Sequence, residues 1–281
     1  MTVSLSRAQA LADAAPQIGR REARELLLHV CACSHAELIA RGDAVLAEDE
    51  AVRYADLVAR CAAGEPLAYL LGSAWFAGRE FAVSPAVLIP RPDTEVLVEQ
   101  GLAAIAGKTA PRLVDLGTGS GIVAVTLALT RPDAEVSAVD ISPAALDVAR
   151  SNAARLGATV RFLAGDWFAP LAGERFDLIV SNPPYVAAGD PHLRRDGLPF
   201  EPQGALTDGV SGGDGMACIA HLVAHAAAHL TPGGALRIEH GYDQAVKTRT
   251  LLLAAGFTEV DSWRDGAGIE RVSGGRWPAT A

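Results

Sequence analysis

The spacing of apolar residues changes character along the chain and predicts two kinds of architecture. Up to about residue 70, apolar positions recur every three or four residues, which is typical of amphipathic helices. The first such segment is predicted to bury Ala23, Leu26, Leu27 and Val30. A second is predicted to bury Val52, Ala55, Leu57, Val58 and Cys61. Because no strand pattern interrupts these segments, residues 1–73 are predicted to form a small helical bundle.

The pattern changes between residues 74 and 90. Aromatic and β-branched residues lie on both sides of Gly78, which predicts a short hairpin, and we interpret 74–90 as the linker between two domains. A helix is then predicted to begin after Pro92, with Asp93 or Thr94 as its cap, and to end at Gly107.

From residue 111 onward, strand and helix patterns alternate, which predicts a doubly wound α/β sheet over 91–281. Five apolar strands are predicted at 112–117, 134–140, 159–166, 175–185 and 235–241. The last two strand-like segments, 257–265 and 269–277, are close enough to pair antiparallel. Between these elements a helix is predicted at 215–230.

Composition narrows the class of protein. The chain has 281 residues, of which 50% are apolar and 20% charged, so a disordered chain is excluded. Its formal net charge of −9 argues against a protein that binds duplex nucleic acid, because such binding needs an excess of Lys and Arg. No uninterrupted run of 18 apolar residues indicates a membrane span, and the N-terminal residues lack the pattern of a secretory signal.

The cysteines agree with a cytoplasmic location. They lack paired CxxC spacing and are predicted to be reduced, buried thiols, neither a disulfide framework nor a zinc site. The four are Cys31, Cys33, Cys61 and Cys218.

A glycine-rich loop follows the first strand of the predicted sheet. Gly117, Gly119 and Gly121 let the backbone approach a ligand, and the helix that follows offers free N–H groups, although a simple tight turn would look similar. A dinucleotide fingerprint would need glycine at position 122, which is Ile122. With Asp115 two residues before the first glycine, the loop resembles the S-adenosylmethionine loop of Rossmann-like methyltransferases.

Two further strand ends support a cofactor pocket. Asp140 ends the second strand, where a carboxylate can accept both hydroxyls of a ribose, or alternatively can cap the next helix. Trp167 follows the third strand, where its indole can stack on an adenine, or alternatively belong to the core.

The fourth strand ends in the motif Asn182-Pro183-Pro184-Tyr185. Elsewhere such a motif would simply be a proline-terminated strand, but here it lies beside the predicted cofactor pocket. The Asn182 side-chain oxygen and the Pro183 carbonyl can accept the two N–H groups of a planar NH₂, and Tyr185 can pack on that group. The motif alone does not distinguish adenine, cytosine and glutamine as substrates.

Several further segments together resemble one family, the peptide chain release factor glutamine methyltransferases, also named HemK. The segments are FAVSPAVLIPRPDTE (81–95), GDWF (165–168), NPPY (182–185), DPHL (190–193), FEP (200–202), GMACI (215–219), EHG (239–241) and ERV (270–272). The resemblance spans about residue 60 to the end. It implies a class I methyltransferase sheet, mostly parallel with an antiparallel last strand, preceded by a helical domain that binds the partner.

The resemblance also implies the cofactor, the partner and the site residues. S-adenosylmethionine is the implied cofactor, and the substrate is the glutamine of the Gly-Gly-Gln motif in bacterial class 1 release factors. The implied cofactor-binding residues are Gly117, Thr118, Gly119, Ser120, Gly121, Asp140, Trp167 and Asn182. The glutamine amide would be held by Asn182, Pro183, Pro184 and Tyr185, of which Asn182, Pro183 and Tyr185 are the predicted catalytic residues. A cytoplasmic monomer without membrane or direct nucleic-acid partners is expected.

Alternatives and two unassigned features remain. A glutamine methyltransferase of a ribosomal protein, a nucleic-acid amino methyltransferase and a non-catalytic cofactor-binding protein would share these motifs. Residues 186–214, rich in Gly, Pro and Asp, are predicted to be a lid over the substrate or else a mobile insertion. His221, His225 and His229 share one helix face, but no carboxylate or cysteine is in register with them, so no metal site is predicted.

Overall fold

The computed structural model describes residues 5–279, which divide between Ser73 and Ala74 into two compact units. Within residues 5–73, the first unit contains five helices. They are α1 (Arg7–Ile18), α2 (Arg20–Cys31), α3 (His35–Ala40), α4 (Glu48–Ala62) and α5 (Leu67–Leu71).

The buried residues of the first unit agree with the predicted apolar face of α2 but not with that of α4. All four predicted residues of α2 are buried. On α4, however, Val52 is 65% exposed and Ala55 is exposed, whereas Tyr54 and Val58 are buried. The helix is rotated because the Tyr54 ring packs in the core while its hydroxyl donates to the Ala23 carbonyl at 2.9 Å.

The cysteines are less buried than the sequence predicts. All four are free and only partly buried, since Cys31, Cys33 and Cys61 pack against the outside of the core of the first unit. Cys218 lies in the second unit, beside the cavity described below.

A β-hairpin begins the second unit. Strands β1 (Ser73–Phe76) and β2 (Arg79–Ala82) form a two-stranded sheet. Ala77 and Gly78 have φ values of +47° and +72°, and positive φ at both turn positions is typical of a tight hairpin turn.

The second unit is built on a seven-stranded sheet. Its strands are β3 (Arg112–Leu116), β4 (Glu135–Asp140), β5 (Arg161–Ala164), β6 (Phe176–Ser181), β7 (Leu230–Glu239), β8 (Thr258–Arg264) and β9 (Glu270–Arg276). The order across the sheet is β5-β4-β3-β6-β7-β9-β8. Strands β3 to β7 pair in parallel, and β9 is antiparallel to both β7 and β8. The predicted mostly parallel sheet with an antiparallel last strand is confirmed.

Helices cover both faces of this sheet. The helices of this unit are α6 (Glu95–Ala104), α7 (Ile122–Thr130), α8 (Pro143–Leu156), α9 (Gln203–Leu206), α10 (Ala217–Ala226) and α11 (Ala245–Ala254). All of them except α9, which lies in the segment 186–214, pack on the sheet. On one face, α6 and α7 contribute Leu97 and Leu127 to a core with Leu178. On the other, α10 and α11 contribute Leu222 and Leu252.

Several element boundaries differ from the prediction; β7, for example, begins at Leu230, five residues before the predicted start. Helix α6 ends at Ala104, short of Gly107, and it follows a 3₁₀ turn at Pro92–Thr94. Thr94 is at the N-cap position but makes no capping bond, because its hydroxyl is engaged elsewhere. The helix predicted over 215–230 is shorter, since α10 ends at Ala226 in a 3₁₀ turn, Ala227–His229.

The segment 186–214, predicted to be a lid or a mobile insertion, contains short helical turns. They are the 3₁₀ turns Pro191–Arg194 and Leu198–Phe200, and helix α9. A hydrogen bond of 2.9 Å from Val186 N to Leu206 O closes the segment onto its own start. No helix within residues 5–279 has the length and hydropathy that a membrane crossing requires.

Candidate active site

The glycine loop joins β3 to α7 at the carboxyl edge of the sheet. Gly117, Gly119 and Gly121 have φ values of +74°, +56° and +83°, which only glycine adopts without strain. The amides of Gly117 and Thr118 both donate to the Val139 carbonyl, at 2.9 and 3.0 Å. The loop is therefore fixed to the neighbouring strand β4.

Asp115 supports the loop from beneath. Its side chain is buried and accepts from Thr118 Oγ1 at 2.7 Å and from Ala124 N at 3.2 Å. Burial raises the pKa of Asp115 to about 7, although those two hydrogen bonds act in the opposite direction.

Asp140 ends β4 and faces the glycine loop. Its Oδ2 accepts from Gly119 N at 2.8 Å, and its Oδ1 accepts from Ser142 N at 2.9 Å. The cap of α8 is Ser142, whose hydroxyl accepts from Ala145 N. Since each carboxylate oxygen can accept more than one hydrogen bond, Asp140 keeps capacity for a ligand's hydroxyls.

Trp167 lies across the loop from the opposite side. It has a φ of +44°, uncommon for a residue with a side chain, and its indole lies against Gly117. A Cβ at Gly117 would lie 3.3 Å from the Trp167 ring. A small residue at 117 is therefore needed to leave the indole in place.

The Asn182-Pro183-Pro184-Tyr185 motif follows β6 directly. Ser181 anchors it, since its hydroxyl donates to the Leu116 carbonyl at 2.7 Å. The Asn182 Nδ2 donates to Thr94 Oγ1 at 3.3 Å. At the other end, the Tyr185 carbonyl accepts from Gln244 Nε2 at 2.9 Å. The motif is thus held at both ends.

The Tyr185 hydroxyl points at a buried carboxyl group. It donates to Glu239 Oε1 at 3.3 Å, and Glu239 is the last residue of β7. Burial, followed by the Glu239 charge, raises the pKa of Tyr185 above its usual value, so the phenol stays protonated. Burial also raises the pKa of Glu239 to about 7.

The glycine loop, Asp140, Trp167 and Asn182 line one cavity of about 500 Å³. Its walls also include residues 86–91, after the hairpin, and residues 202–209 from the segment predicted as a lid. Glu201 connects the two walls: its Oε2 accepts from Ile89 N at 3.0 Å, and its Oε1 forms an ion pair with Arg91. Because the Glu201 carboxylate is buried, this pair is shielded from solvent.

The structure brings most of the predicted site residues to this cavity. Those that line it are Gly117, Thr118, Gly119, Ser120, Asp140, Trp167, Asn182 and Pro184. Gly121 lies behind the loop, against Ala149, and Pro183 and Tyr185 are adjacent in the chain to lining residues but are not among the lining residues themselves. The histidines are elsewhere: His225 Nδ1 is hydrogen-bonded to the His221 carbonyl, and His229 stacks on Phe168.

Three residues around the site were not predicted to belong to it. Thr94, Glu201 and Glu239 are all buried polar side chains. Each lies in a segment that carried the family resemblance. Glu239 follows the apolar positions of β7 and ends that strand, so its place at the carboxyl edge of the sheet was the available signal in the sequence, and it was missed.

In comparisons with known proteins, each of the two units matches a family model. Residues 6–72 match a family model described as PrmC N-terminal domain, and residues 92–194 match one described as Methyltransferase small domain. A "Release factor glutamine methyltransferase" of Bordetella pertussis is 54% identical over 94% of this chain and 97% of its own length. One from Burkholderia pseudomallei is 54% identical over 92% of each chain, and one from Escherichia coli is 42% identical over 92% of each.

Solved structures share the fold at low identity. A methyltransferase from Pyrococcus furiosus superposes with a TM-score of 0.56 at 19% identity, covering 80% of this chain and all of that one. A T. thermophilus methyltransferase of 16S rRNA G1207, in complex with AdoMet and guanosine, gives a TM-score of 0.52 at 22% identity. It covers 73% of this chain and 49% of its own.

Proposed function

This chain belongs to the release factor glutamine methyltransferase family, and we propose that it methylates the side-chain amide nitrogen of a glutamine in a protein substrate. The proposed substrate is the glutamine of the Gly-Gly-Gln motif in bacterial class 1 release factors. The observation that carries the proposal is the position of Asn182 beside the glycine loop, on the wall of one cavity.

The cavity fits S-adenosylmethionine, the cofactor of the reaction. Its volume lies within the usual range for small-molecule sites, and the glycine loop provides backbone N–H groups at the start of α7. Asp140 has capacity for ribose hydroxyls, and Trp167 offers an aromatic face for a base. The residues proposed to hold the cofactor are Gly117, Thr118, Gly119, Ser120, Gly121, Asp140, Trp167 and Asn182.

When bound, S-adenosylmethionine supplies an electrophilic methyl group on a sulfonium. An amide nitrogen is a weak nucleophile because its lone pair is delocalised into the carbonyl. We propose that Asn182 Oδ1 and the Pro183 carbonyl accept the two amide N–H groups and so orient the nitrogen. The same acceptors stabilise the positive charge that develops on nitrogen during transfer. The Tyr185 ring packs on the planar amide, and Pro184 keeps the motif rigid.

The remaining parts of the chain have proposed roles in substrate binding. The helical unit of residues 1–73 is proposed to bind the release factor, with 74–90 as the linker to the catalytic domain of 91–281. The segment 186–214 is proposed to be a lid, because Glu201 ties it to the opposite wall of the cavity. We further propose a monomer that works in the cytoplasm, in keeping with its four free cysteines.

Mass spectrometry of the Gly-Gly-Gln peptide, after incubation of release factor with enzyme and cofactor, tests the proposal. A gain of one methyl group on the glutamine is expected. No gain with an enzyme that binds the cofactor would contradict it. Parallel reactions with ribosomal proteins and with nucleic acid distinguish the alternative substrates, and the net charge of −9 leads us to expect no methylation of nucleic acid.

Asn182→Ala tests the role of the motif. The variant loses an amide that the substrate nitrogen needs, so turnover should fall by at least about a hundredfold while the fold is retained. The rate constant at saturating substrates is the measurement, with circular dichroism as the check on folding. Full activity of this variant would overturn the proposed role of Asn182.

A further inference from the structure

A buried carboxyl group lies behind the catalytic motif without being part of it. Strands β6 and β7 pair in parallel with Ser181 opposite Ile238, so the next residues along the two strands are Asn182 and Glu239. Between them lies Thr94, from the 3₁₀ turn before α6, which is 1% exposed. The partly buried Asn182 and two buried polar side chains, Thr94 and Glu239, thus come together from distant parts of the chain.

The hydrogen bonds among these groups have a direction. The Asn182 Nδ2 donates to Thr94 Oγ1 at 3.3 Å. A hydroxyl that accepts this bond has its own hydrogen free for another acceptor, and the neighbouring Glu239 carboxyl has a buried oxygen, Oε2, that has no hydrogen-bond partner among residues 5–279. An ionised carboxylate only accepts, so this oxygen offers the Thr94 hydroxyl an acceptor and never a donor.

We propose that Thr94 and Glu239 are positioning residues that hold the Asn182 amide with its nitrogen turned inward and its oxygen available to the substrate. The inference rests on the proposed function, because it gives the Asn182 oxygen the task of orienting the glutamine. An asparagine that rotated by half a turn would present a donor to the substrate's N–H group, and the substrate amide would be repelled.

Glu239 also fixes the far end of the motif. Its Oε1 accepts from the Tyr185 hydroxyl at 3.3 Å, so the carboxyl group restrains the last residue of the motif. The charged groups that surround it are Asp93, beside Thr94, and Arg271 on β9. Arg271 is itself paired with Asp93 at 3.1 Å and with Asp265 at 3.0 Å.

Threonine variants test the inference most directly. Thr94→Val keeps the shape and removes the hydroxyl, so the rate constant at saturating substrates should fall about tenfold to a hundredfold. Thr94→Ser restores the hydroxyl and should recover most of the rate. The dissociation constant of the cofactor should stay within about twofold of wild type in both, which a general loss of structure would not allow.

A matched control exists on α7. Thr126 is 3% exposed, and its Oγ1 has no hydrogen-bond partner among residues 5–279, so Thr126→Val makes the same exchange without breaking a bond. Its rate should equal that of wild type. Equal rates for Thr94→Val, Thr126→Val and wild type would overturn the inference.

The pH profile of Glu239→Gln provides a second, independent readout. Burial raises the pKa of Glu239 to about 7, so in wild type the rate should fall as pH decreases through this value, because protonated Glu239 is able to donate as well as accept. Glu239→Gln should be slower and lack this limb. Saturating cofactor is needed, because Asp115 below the glycine loop titrates in the same range.

The outcomes separate this inference from the proposed function. Wild type that does not methylate release factor refutes the proposed function whatever the variants do. Active wild type, inactive Asn182→Ala and fully active Thr94→Val refute only the positioning role. A Thr94→Val protein that fails to fold leaves the decision to Glu239→Gln, where an unchanged rate and an unchanged acid limb would overturn the inference.

Discussion

Gly121 shows how one residue of the glycine loop is fixed by packing. It has a φ of +83°, and a Cβ at this position would lie 3.1 Å from Ala149 Cβ and 3.3 Å from Ala149 Cα. Ala149 belongs to α8 and is fully buried, so it has no room to move. Gly121 is therefore required both by its backbone conformation and by the close approach of a helix.

Gly121→Ala should destabilise the second unit by about 3 kcal/mol, since the left-handed conformation costs about 1–2 kcal/mol and overpacking adds to it. Gly157→Ala is the matched control: Gly157 has a φ of +75°, but a Cβ there meets nothing within 4 Å. It should cost only about 1–2 kcal/mol. All four tryptophans lie in the second unit, so urea unfolding followed by tryptophan fluorescence reports on that unit. Equal losses for the two variants would contradict the packing argument.

At the residue scale, the sequence predicted what is local in the chain. The glycine loop and the NPPY motif are runs of adjacent residues. The residue types in each run are enough to predict a cofactor loop and a site for a planar NH₂ group. The contacts of Thr94 and Glu239 with these motifs depend on strand order and on the register of β6 with β7, which no short pattern encodes. Glu239 therefore lay in a segment that resembles the family, EHG (239–241), but the sequence predicted no role for its side chain.

At the scale of elements, one asparagine joins the hairpin to the glycine loop. Asn152 lies on α8 and is fully buried. Its Oδ1 accepts from Ala82 N at 2.7 Å, and its Nδ2 donates to the carbonyls of Ala82 and Ser120, both at 2.9 Å. The hairpin, α8 and the cofactor loop are therefore held as one structure.

Asn152→Ala should lower the free energy of unfolding of the second unit by about 3 kcal/mol, because it leaves buried backbone groups of Ala82 and Ser120 without partners. Cofactor affinity should fall with it, since Ser120 belongs to the loop. Urea unfolding and cofactor titration are the measurements.

The control for Asn152 lies on the same helix. Arg150 forms an exposed ion pair with Asp147 at 3.1 Å, and Arg150→Ala should cost less than about 1 kcal/mol. If Asn152→Ala were as mild as Arg150→Ala, the bridging role of Asn152 would be refuted.

Elements whose apolar residues recur at regular spacing were predicted well. Features that depend on tertiary contacts were not. Strands β3 and β6 are mostly apolar, and the antiparallel pair β8–β9 was identified from its short connection. Helix α4 was rotated in the prediction because Tyr54 was left out of its apolar face. Thr94 does occupy the predicted N-cap position of α6, but its side chain makes no capping hydrogen bond.

At the scale of the whole molecule, the topology of the sheet explains where the site lies. From β3 the chain proceeds outward through β4 to β5, and then crosses back to β6 and β7 on the other side. Ligands of open α/β sheets bind outside the carboxyl ends of the strands at such a reversal. The glycine loop follows β3 and the NPPY motif follows β6, and these two strands are neighbours at the reversal. The proposed cofactor and amide sites are therefore adjacent.

This arrangement also places two acidic side chains, Asp115 and Glu239, in the interior of the second unit. Burial raises the pKa of each to about 7, from ordinary values of 3.8 and 4.5. Between these ordinary values and pH 7 the folded state binds more protons than the unfolded state. The second unit should therefore lose stability as pH rises from about 5 to 7.

Glu239→Gln isolates one of these contributions. The variant has no carboxyl to ionise, so the difference in free energy of unfolding between variant and wild type should grow by roughly 3 kcal/mol in favour of the variant from pH 4.5 to pH 8. Buried His240, whose pKa is lowered by burial, has the opposite slope, but it is present in both proteins and cancels in the difference. Urea unfolding at four pH values, followed by tryptophan fluorescence, provides the measurement. A difference that does not change with pH would show that the Glu239 carboxyl keeps its ordinary pKa in the folded protein. In that case the methylation rate would not be expected to fall as pH decreases through 7.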